Sequence, residues 1–265
     1  MLNIIKSQLF QFRKERISKL LFFGLIAMFI LIAFVAVIQS EIPSAATAMT
    51  DATGGGYFAT NTRFFIFMPL IYIATVVAQF CGQDFTDKTA NYELMSGRRR
   101  YQCYFGRVIP AIIIGVIGCL IISVTPVITV TIFKGWGERM AVADVVLRYA
   151  LMIFPMIRVG CEFVFITFLV KNPYIAMGLG YLYSMVSMYA EIFSSDGFMF
   201  FGSTNVILLS YVDVWTTYGL EGEVNFIYDA ALPTSTIIGT IVISLAVAAI
   251  SLFLGYVFFK NDDMN

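Results

Sequence analysis

Six long apolar runs, each of 19 residues or more, dominate this 265-residue sequence. A helix rises about 1.5 Å per residue, so about 20 apolar residues cross the roughly 30 Å hydrocarbon core of a bilayer. The runs are continuously apolar rather than alternating, which disfavours a transmembrane β-barrel. We therefore predict an all-α membrane protein of one domain, residues 1–265, with six transmembrane helices at residues 20–39, 64–82, 108–133, 149–170, 174–193 and 235–259.

Composition supports a membrane protein and removes several kinds of enzyme site. Hydrophobic residues make up 59% of the chain, above the roughly 45–50% of soluble domains. Histidine, the commonest metal ligand and general base, is absent. The sequence also has no GxSxG-like nucleophile motif. We therefore predict a protein that is not an enzyme, with no catalytic residues and no metal site, and we interpret its four cysteines as small core residues: Cys81, Cys103, Cys119 and Cys161.

Lysine and arginine predict which side of the membrane each loop faces. With the N-terminus inside, the inner segments carry twelve basic residues and the outer segments carry four. Cytoplasmic loops are enriched in Lys and Arg, so we expect both termini in the cytoplasm. The inner residues are Lys6, Arg13, Lys14, Arg16, Lys19, Lys88, Arg98, Arg99, Arg100, Arg107, Lys171 and Lys260, and the outer ones are Arg63, Lys134, Arg139 and Arg148.

The connections between the runs differ in character. The first outer loop, residues 40–63, is rich in small residues and glycine, and we expect a mobile surface segment. Spans four and five are joined by "KNP", a tight inner turn in which Pro173 begins the next helix. The outer segment 194–234 is too apolar and aromatic for a solvated loop. We predict that it forms short re-entrant helices before the last span, packed against protein.

The residues before the first span form an amphipathic pattern. Leu2, Ile5, Leu9 and Phe12 recur at three- and four-residue spacing, with basic residues alongside. This pattern is typical of a helix lying on the inner leaflet. An ordinary basic flank of the first span is the alternative, because other apolar residues blur the stripe.

The inner segment 83–107 concentrates eight formal charges in twenty-five residues. Two or three basic residues would be enough to fix orientation, so the length of the segment needs another explanation. Phe85, Tyr92 and Met95 stand between charges at near-helical spacing, with acidic residues first and arginines last, as a helix macrodipole favours. Gly97 is a suitable stop. We predict a short cytoplasmic helix that docks onto a partner protein, since aromatic residues and Arg supply much interface energy.

The same segment resembles the first cytoplasmic loop of type-two ABC exporter permeases, the membrane subunits of peptide and lantibiotic exporters and immunity transporters. In that family a Thr is followed by leucine-like residues, a basic residue eleven positions later and a second one seven positions after that. Thr89, Arg100 and Arg107 have this spacing, with Leu94 and Met95 between them. Lys88 stands where the family has Gly, and the Arg98–Arg99 pair stands where it has Pro.

The resemblance implies a function and a set of partners. This chain would be the permease subunit of an ATP-driven exporter in the bacterial cell (inner) membrane, moving an amphipathic substrate such as a peptide. The sequence has no GxxxxGK(S/T) phosphate loop, so ATP and Mg would be bound by a separate ATPase, in two copies, and not by this chain. The other partners would be a second permease chain, in a homodimer or a heterodimer, and membrane lipid, with no nucleic acid. The predicted ATPase-coupling residues are Asp84, Phe85, Asp87, Lys88, Thr89, Tyr92, Glu93, Leu94, Met95, Arg98, Arg99 and Arg100.

The fourth run contains two charges, Arg158 and Glu162, four positions apart and therefore on one helix face. They either line a translocation path or hold helices together, with interhelical partners or water involved as well. In the fifth run, Tyr181, Ser184 and Ser187 either favour close helix packing or line the pathway. Two other functions stay open: an ion-coupled secondary carrier, and a membrane sensor or anchor that transports nothing.

Overall fold

A computed structural model describes residues 2–39, 53–86, 95, 97, 99–138, 140–193 and 234–261. These ranges contain seven α-helices and no β-strand. The protein is therefore all-helical over its described part, as predicted. The helices are α1 (Leu2–Lys14), α2 (Ile17–Gln39), α3 (Gly54–Thr86), α4 (Arg100–Lys134), α5 (Val142–Val170), α6 (Pro173–Phe193) and α7 (Thr234–Asn261).

Each of the six apolar runs lies within one of the helices α2 to α7. Four of these helices are long and apolar enough to cross a membrane over described residues: Ile17–Ile38, Arg100–Lys134, Val142–Val170 and Ile237–Asn261. Helices α3, α4 and α5 begin several residues before the predicted runs. Hydropathy marks only the apolar part of a helix, whereas backbone hydrogen bonding continues beyond the hydrocarbon.

Helix α3 lies at the centre of the bundle, packed against α2, α4, α5 and α6. Its residues from Pro69 to Gly82 are all buried, which fits a helix that is apolar on every side. Glycines on the neighbouring helices allow this close approach. A Cβ added at Gly118 of α4 would lie 2.1 Å from the Tyr72 ring, and one added at Gly180 of α6 would lie 2.6 Å from Ala74 Cβ.

A second extensive contact joins α7 to α5. The buried face of α7 consists of small residues spaced three or four apart, followed by Phe259 near the end of the helix, and the small residues let the two backbones approach closely. The small members of this face are Thr240, Ser244, Ala248, Ser251 and Gly255. A Cβ added at Gly255 would lie 3.5 Å from Phe165 Cα on α5. Helix α7 is thus held mainly through α5.

The "KNP" turn has the predicted structure. Lys171 closes α5 with a left-handed φ of 56°, and its backbone N–H donates to the Thr167 carbonyl. The Asn172 side-chain oxygen accepts the backbone N–H groups of Tyr174 and Ile175 at 2.9 and 3.3 Å. Pro173 is the first residue of α6, where its missing N–H has no cost.

The prediction of a mobile first outer loop is wrong for residues 54–63, which are helical and open α3. Gly54 and Gly55 donate their N–H groups to the carbonyls of Gly135 and Trp136, both at 2.9 Å. These glycines serve contact rather than mobility, since a Cβ at Gly54 would lie 2.0 Å from Thr131 Oγ1. Residues 40–52, and the outer segment 194–233 with its predicted re-entrant helices, lie outside the described residues.

Replacing Gly118 by Ala tests the packing around α3. The added methyl group must displace the Tyr72 ring, so we expect the free energy of unfolding to fall by about 1–3 kcal/mol. The control is Gly24→Ala on α2, where an added Cβ meets nothing within 4 Å. Denaturant titration of the protein in detergent micelles measures both, and equal stabilities for the two variants would contradict this packing.

Candidate functional site

The predicted coupling segment connects α3 to α4, and the structure describes its two ends. Helix α3 continues to Thr86, so the backbone of Asp84 and Phe85 belongs to that helix. The predicted coupling residues that lie outside the described residues are Asp87, Lys88, Thr89, Tyr92, Glu93, Leu94 and Arg98.

Three described residues precede α4. Met95 is helical and its side chain is 83% exposed. Gly97 has a φ of +81°, the left-handed conformation that commonly follows the end of a helix. Arg99 is exposed and extended at the N-cap position of α4, with φ −72° and ψ 137°. Met95 and Arg99 are thus presented at the surface, where another protein can contact them.

Phe85 and Tyr104, near the two ends of the predicted coupling segment, belong to an aromatic cluster that the sequence analysis did not predict. We define the aromatic cluster as Phe85 of α3, Tyr104 of α4, Phe168 of α5, and Tyr256 and Phe259 of α7. The Phe85 ring contacts Phe168 at 5.6 Å between centroids, and Phe168 contacts Phe259 at 5.4 Å. Both pairs are edge-to-face, a geometry that adds about 0.5–1.5 kcal/mol beyond buried area. Four helices therefore meet at one end of the bundle.

Tyr104 is the centre of the aromatic cluster. Its ring is fully buried and lies 4.9 Å from Phe168, 5.6 Å from Tyr256 and 5.9 Å from Phe259 between centroids. Its hydroxyl donates to the Leu252 carbonyl at 2.9 Å. The ring and the hydroxyl together fix the start of α4 against the end of α7.

A second connection runs from the predicted coupling segment to α7. The Arg100 guanidinium, on the first residue of α4, donates to the Lys260 carbonyl near the end of α7. A cation at a helix C-terminus satisfies an orphan carbonyl and complements the macrodipole. Arg100 was predicted to be a docking residue, and the structure shows that it also makes an intramolecular contact.

The charges in α5 form a network with α6. Arg158 Nε donates to Glu162 Oε1 at 2.9 Å, and the Tyr183 hydroxyl of α6 donates to Glu162 Oε2 at 2.8 Å. The Arg158 side chain is 7% exposed and that of Glu162 is 18% exposed. Both carboxylate oxygens are therefore hydrogen-bonded, and the intrahelical pair is extended to a neighbouring helix by Tyr183.

Of the predicted pathway residues of α6, the structure describes one side chain, that of Tyr181. Tyr181 is 51% exposed on the surface of this chain, whereas Tyr183 turns inward to Glu162. The side chains of Ser184 and Ser187 lie outside the described part. Tyr183 is thus an interior polar group of α6, and its contact with Glu162 was not predicted.

The positions of the aromatic-cluster residues in the sequence indicate where they lie in the membrane. Its members stand at or just beyond the predicted inner ends of four spans, where Tyr and other aromatic residues are expected at a membrane interface. The sequence alone does not show that they contact each other, because each comes from a different part of the chain.

Comparison with known proteins gives no relative: no protein-family model matches this chain, and no curated protein is significantly similar to it.

Substitution of Arg158 and Glu162 by Met tests their pairing. Either single substitution leaves a charge inside the bundle without its oppositely charged neighbour, so we expect each to lower the free energy of unfolding by about 3–5 kcal/mol. The double substitution removes both charges and should cost less than the sum of the single effects, with a coupling energy of about 0.5–3 kcal/mol. Unfolding titrations in micelles measure the cycle, and additive effects would contradict a direct interaction.

Proposed function

We propose that this chain is the permease subunit of an ABC exporter and moves an amphipathic substrate, such as a peptide, out of a bacterial cell. Its energy comes from ATP hydrolysis by a separate ATPase. It crosses the membrane six times, with both termini in the cytoplasm. The observation that carries this proposal is the aromatic cluster, which joins the two helices flanking segment 87–99 to the ends of α5 and α7.

The mechanism follows from how tightly the aromatic cluster is packed. Protein interiors are dense and transmit displacement rather than absorb it. A force applied to segment 87–99 reaches Phe85 and Tyr104, and from them Phe168 and Phe259. The ends of α3, α4, α5 and α7 therefore move together when the ATPase subunits close. The contact between Arg100 and Lys260 reinforces the same connection.

The proposed docking surface is segment 87–99, in which Met95 and Arg99 are exposed. An apolar thioether and a guanidinium are groups that contribute strongly to interfaces. The spacing of Thr89, Arg100 and Arg107 supports the resemblance on which the partner's identity rests. The working unit would contain two permease chains and two ATPase chains.

Helix α1 fits the interface of the inner leaflet in this arrangement. It contacts the bundle through Ile4 and Gln8, which are buried, and leaves Leu9 and Phe10 exposed. The Lys14 ammonium lies 4.6 Å from the centroid of the Phe10 ring. Apolar residues with basic neighbours on an exposed helix face suit the boundary between acyl chains and anionic headgroups.

The network of Arg158, Glu162 and Tyr183 holds α5 and α6 together in this proposal. Arg158 is nearly buried and the Glu162 carboxylate is bonded on both oxygens, which favours a structural role over contact with substrate.

The ATPase partnership is tested by co-purification from the native host. We expect the tagged chain, extracted in mild detergent, to bring down a protein with a phosphate loop. The Met95→Asp/Arg99→Glu variant should lose this protein, since it places a negative charge on each exposed docking residue. The matched control is Glu138→Lys, a charge reversal at an exposed residue between α4 and α5. Mass spectrometry of the purified material that finds no ATPase, or finds it unchanged in the docking variant, would exclude the proposal.

Transmission through the aromatic cluster is tested separately from docking. Phe168→Ala removes a central ring, so we expect the ATPase to remain bound while the ATP-dependent movement of the permease falls by half or more. The control is Phe29→Ala on α2, which deletes the same volume from a fully buried site outside the aromatic cluster. Both variants should lose about 3–5 kcal/mol of stability. Pulsed electron spin resonance between labels at position 138 of two permease copies measures the movement, and equal movement in both variants would contradict transmission.

A further inference from the structure

The first 40 residues carry an excess of positive charge. They contain five basic side chains and one acidic side chain, that of Glu15. Over the described residues none of the five bases forms an ion pair, and four of them are exposed. We call these five residues the basic group. They are Lys6, Arg13, Lys14, Arg16 and Lys19.

Helix α1 has one side against the bundle and one side facing away from it. Ile4 and Gln8 are buried, and a Cβ added at Gly106 of α4 would lie 2.9 Å from the Ile4 side chain. Successive residues of an α-helix are about 100° apart. Lys6 and Arg13 therefore lie on the side of α1 opposite to the buried pair, which we call the outward side.

Apolar side chains alternate with the bases on the exposed part of α1. Leu9 is 45% exposed and Phe10 is 58% exposed. The Lys14 ammonium lies 4.6 Å from the centroid of the Phe10 ring, and Lys6 is one helical turn before the same ring. Long basic side chains next to exposed apolar ones suit a membrane interface, because their stems cover apolar surface while their charged ends reach the headgroups.

Glu15 does not cancel the charge of the outward side. Its backbone N–H donates to the Gln11 carbonyl at 2.9 Å, so it continues the turn of α1. Its side chain lines a cleft that Gln79 and Phe80 of α3 also line, and it accepts a hydrogen bond from the Ser18 hydroxyl at 3.0 Å. The carboxylate therefore lies on the α3 side of α1, whereas the outward bases lie on the other side.

The start of α2 indicates the depth of the basic group in the membrane. Helix α2 is long and apolar enough to cross a membrane and begins shortly after α1 ends. Ile17, Leu20 and Phe23 are 46%, 79% and 65% exposed at three-residue spacing, which is typical of a lipid-facing stripe. The Lys19 ammonium donates to the Arg13 carbonyl and so ties the end of α1 to the start of this stripe. The basic group therefore lies where hydrocarbon gives way to headgroups.

Charge and depth together select the partner. Groups of about four to eight Lys and Arg beside a transmembrane helix attract anionic lipid. A nucleic acid or an acidic protein matches the charge, but neither covers the exposed Leu9 and Phe10 or the apolar stripe of α2. An anionic phospholipid supplies a phosphate for the bases and acyl chains for the apolar side chains.

We propose that the basic group binds the headgroups of anionic phospholipids in the inner leaflet. Ile4 packs at Gly106 of α4, and Phe12 contacts Phe80 of α3 at 5.5 Å between ring centroids. Bound lipid would therefore hold α1 against the two helices that flank the predicted coupling segment. This binding rests on the proposed position of α1 at the inner leaflet, and it requires neither export nor an ATPase.

Quenching of a probe on α1 by brominated lipids tests this binding in the full chain, with no ATPase present. A fluorophore is attached to the thiol of Ser7→Cys, an exposed position, while the four native cysteines are buried. The protein is reconstituted in phosphatidylcholine with a minor share of phosphatidylglycerol. Bromine is carried on the acyl chains of the phosphatidylglycerol or on those of an equal number of phosphatidylcholine molecules.

We expect brominated phosphatidylglycerol to quench the probe at least about twofold more strongly than brominated phosphatidylcholine. The preference should shrink as the salt concentration rises to about 1 M, where the screening length falls to about 3 Å. Equal quenching by the two lipids, or a preference that salt leaves unchanged, would overturn the proposal.

Variants separate the basic group from other charges at this end of the bundle. Lys6→Gln and Arg13→Gln should each lower the ratio of the two quenching efficiencies, and both combined with Lys14→Gln should bring it close to one. The matched control for the single variants is Lys260→Gln, which removes an exposed base near the end of α7 and should keep the ratio. An unchanged ratio in the triple variant would also overturn the proposal, whereas co-purification of an ATPase would be unaffected by that result.

Discussion

The contact of Tyr104 with the rings around it is the interaction on which the rest of the account depends. It fixes the start of α4 to the ends of α5 and α7, and Phe85 brings in the end of α3 through Phe168. Helices in a membrane gain little from apolar burial against each other, because lipid tails are equally apolar, so close packing and hydrogen bonds decide how they associate. The aromatic cluster and the hydroxyl bond to Leu252 supply both at one end of the bundle. Segment 87–99 connects α3 to α4, the two helices that contribute Phe85 and Tyr104 to this cluster.

Hydropathy predicted the helices because the hydrocarbon leaves a backbone few ways to satisfy its polar groups. A helix end that depends on local chemistry is predictable as well. Pro173 begins α6 because its ring fixes φ, and the Asn172 side chain caps the same helix. The start of α3 was predicted wrongly because glycine can serve either chain mobility or close contact between helices. At Gly54 it permits contact with α4 rather than mobility, and only the tertiary structure distinguishes these.

The candidate sites likewise divide into contacts that local sequence spacing predicts and contacts that depend on tertiary packing. The contact between Arg158 and Glu162 is local, so spacing on one helix was enough to place both on one face. The contact of Tyr183 with Glu162 and the aromatic cluster both depend on which helices are neighbours, and no spacing within one run determines that. The contacts at the two ends of the predicted coupling segment therefore depend on long-range packing, which the sequence of one segment does not determine.

Labelling of a single introduced cysteine at Met95 tests the central claim most directly. The four native cysteines are fully buried, so a membrane-impermeant maleimide should modify only the new thiol at this exposed position. We predict labelling in inside-out vesicles, no labelling in right-side-out vesicles, and protection when the ATPase is bound. Labelling from the outer side, or labelling that the bound ATPase leaves unchanged, would contradict a cytoplasmic coupling segment that docks onto an ATPase.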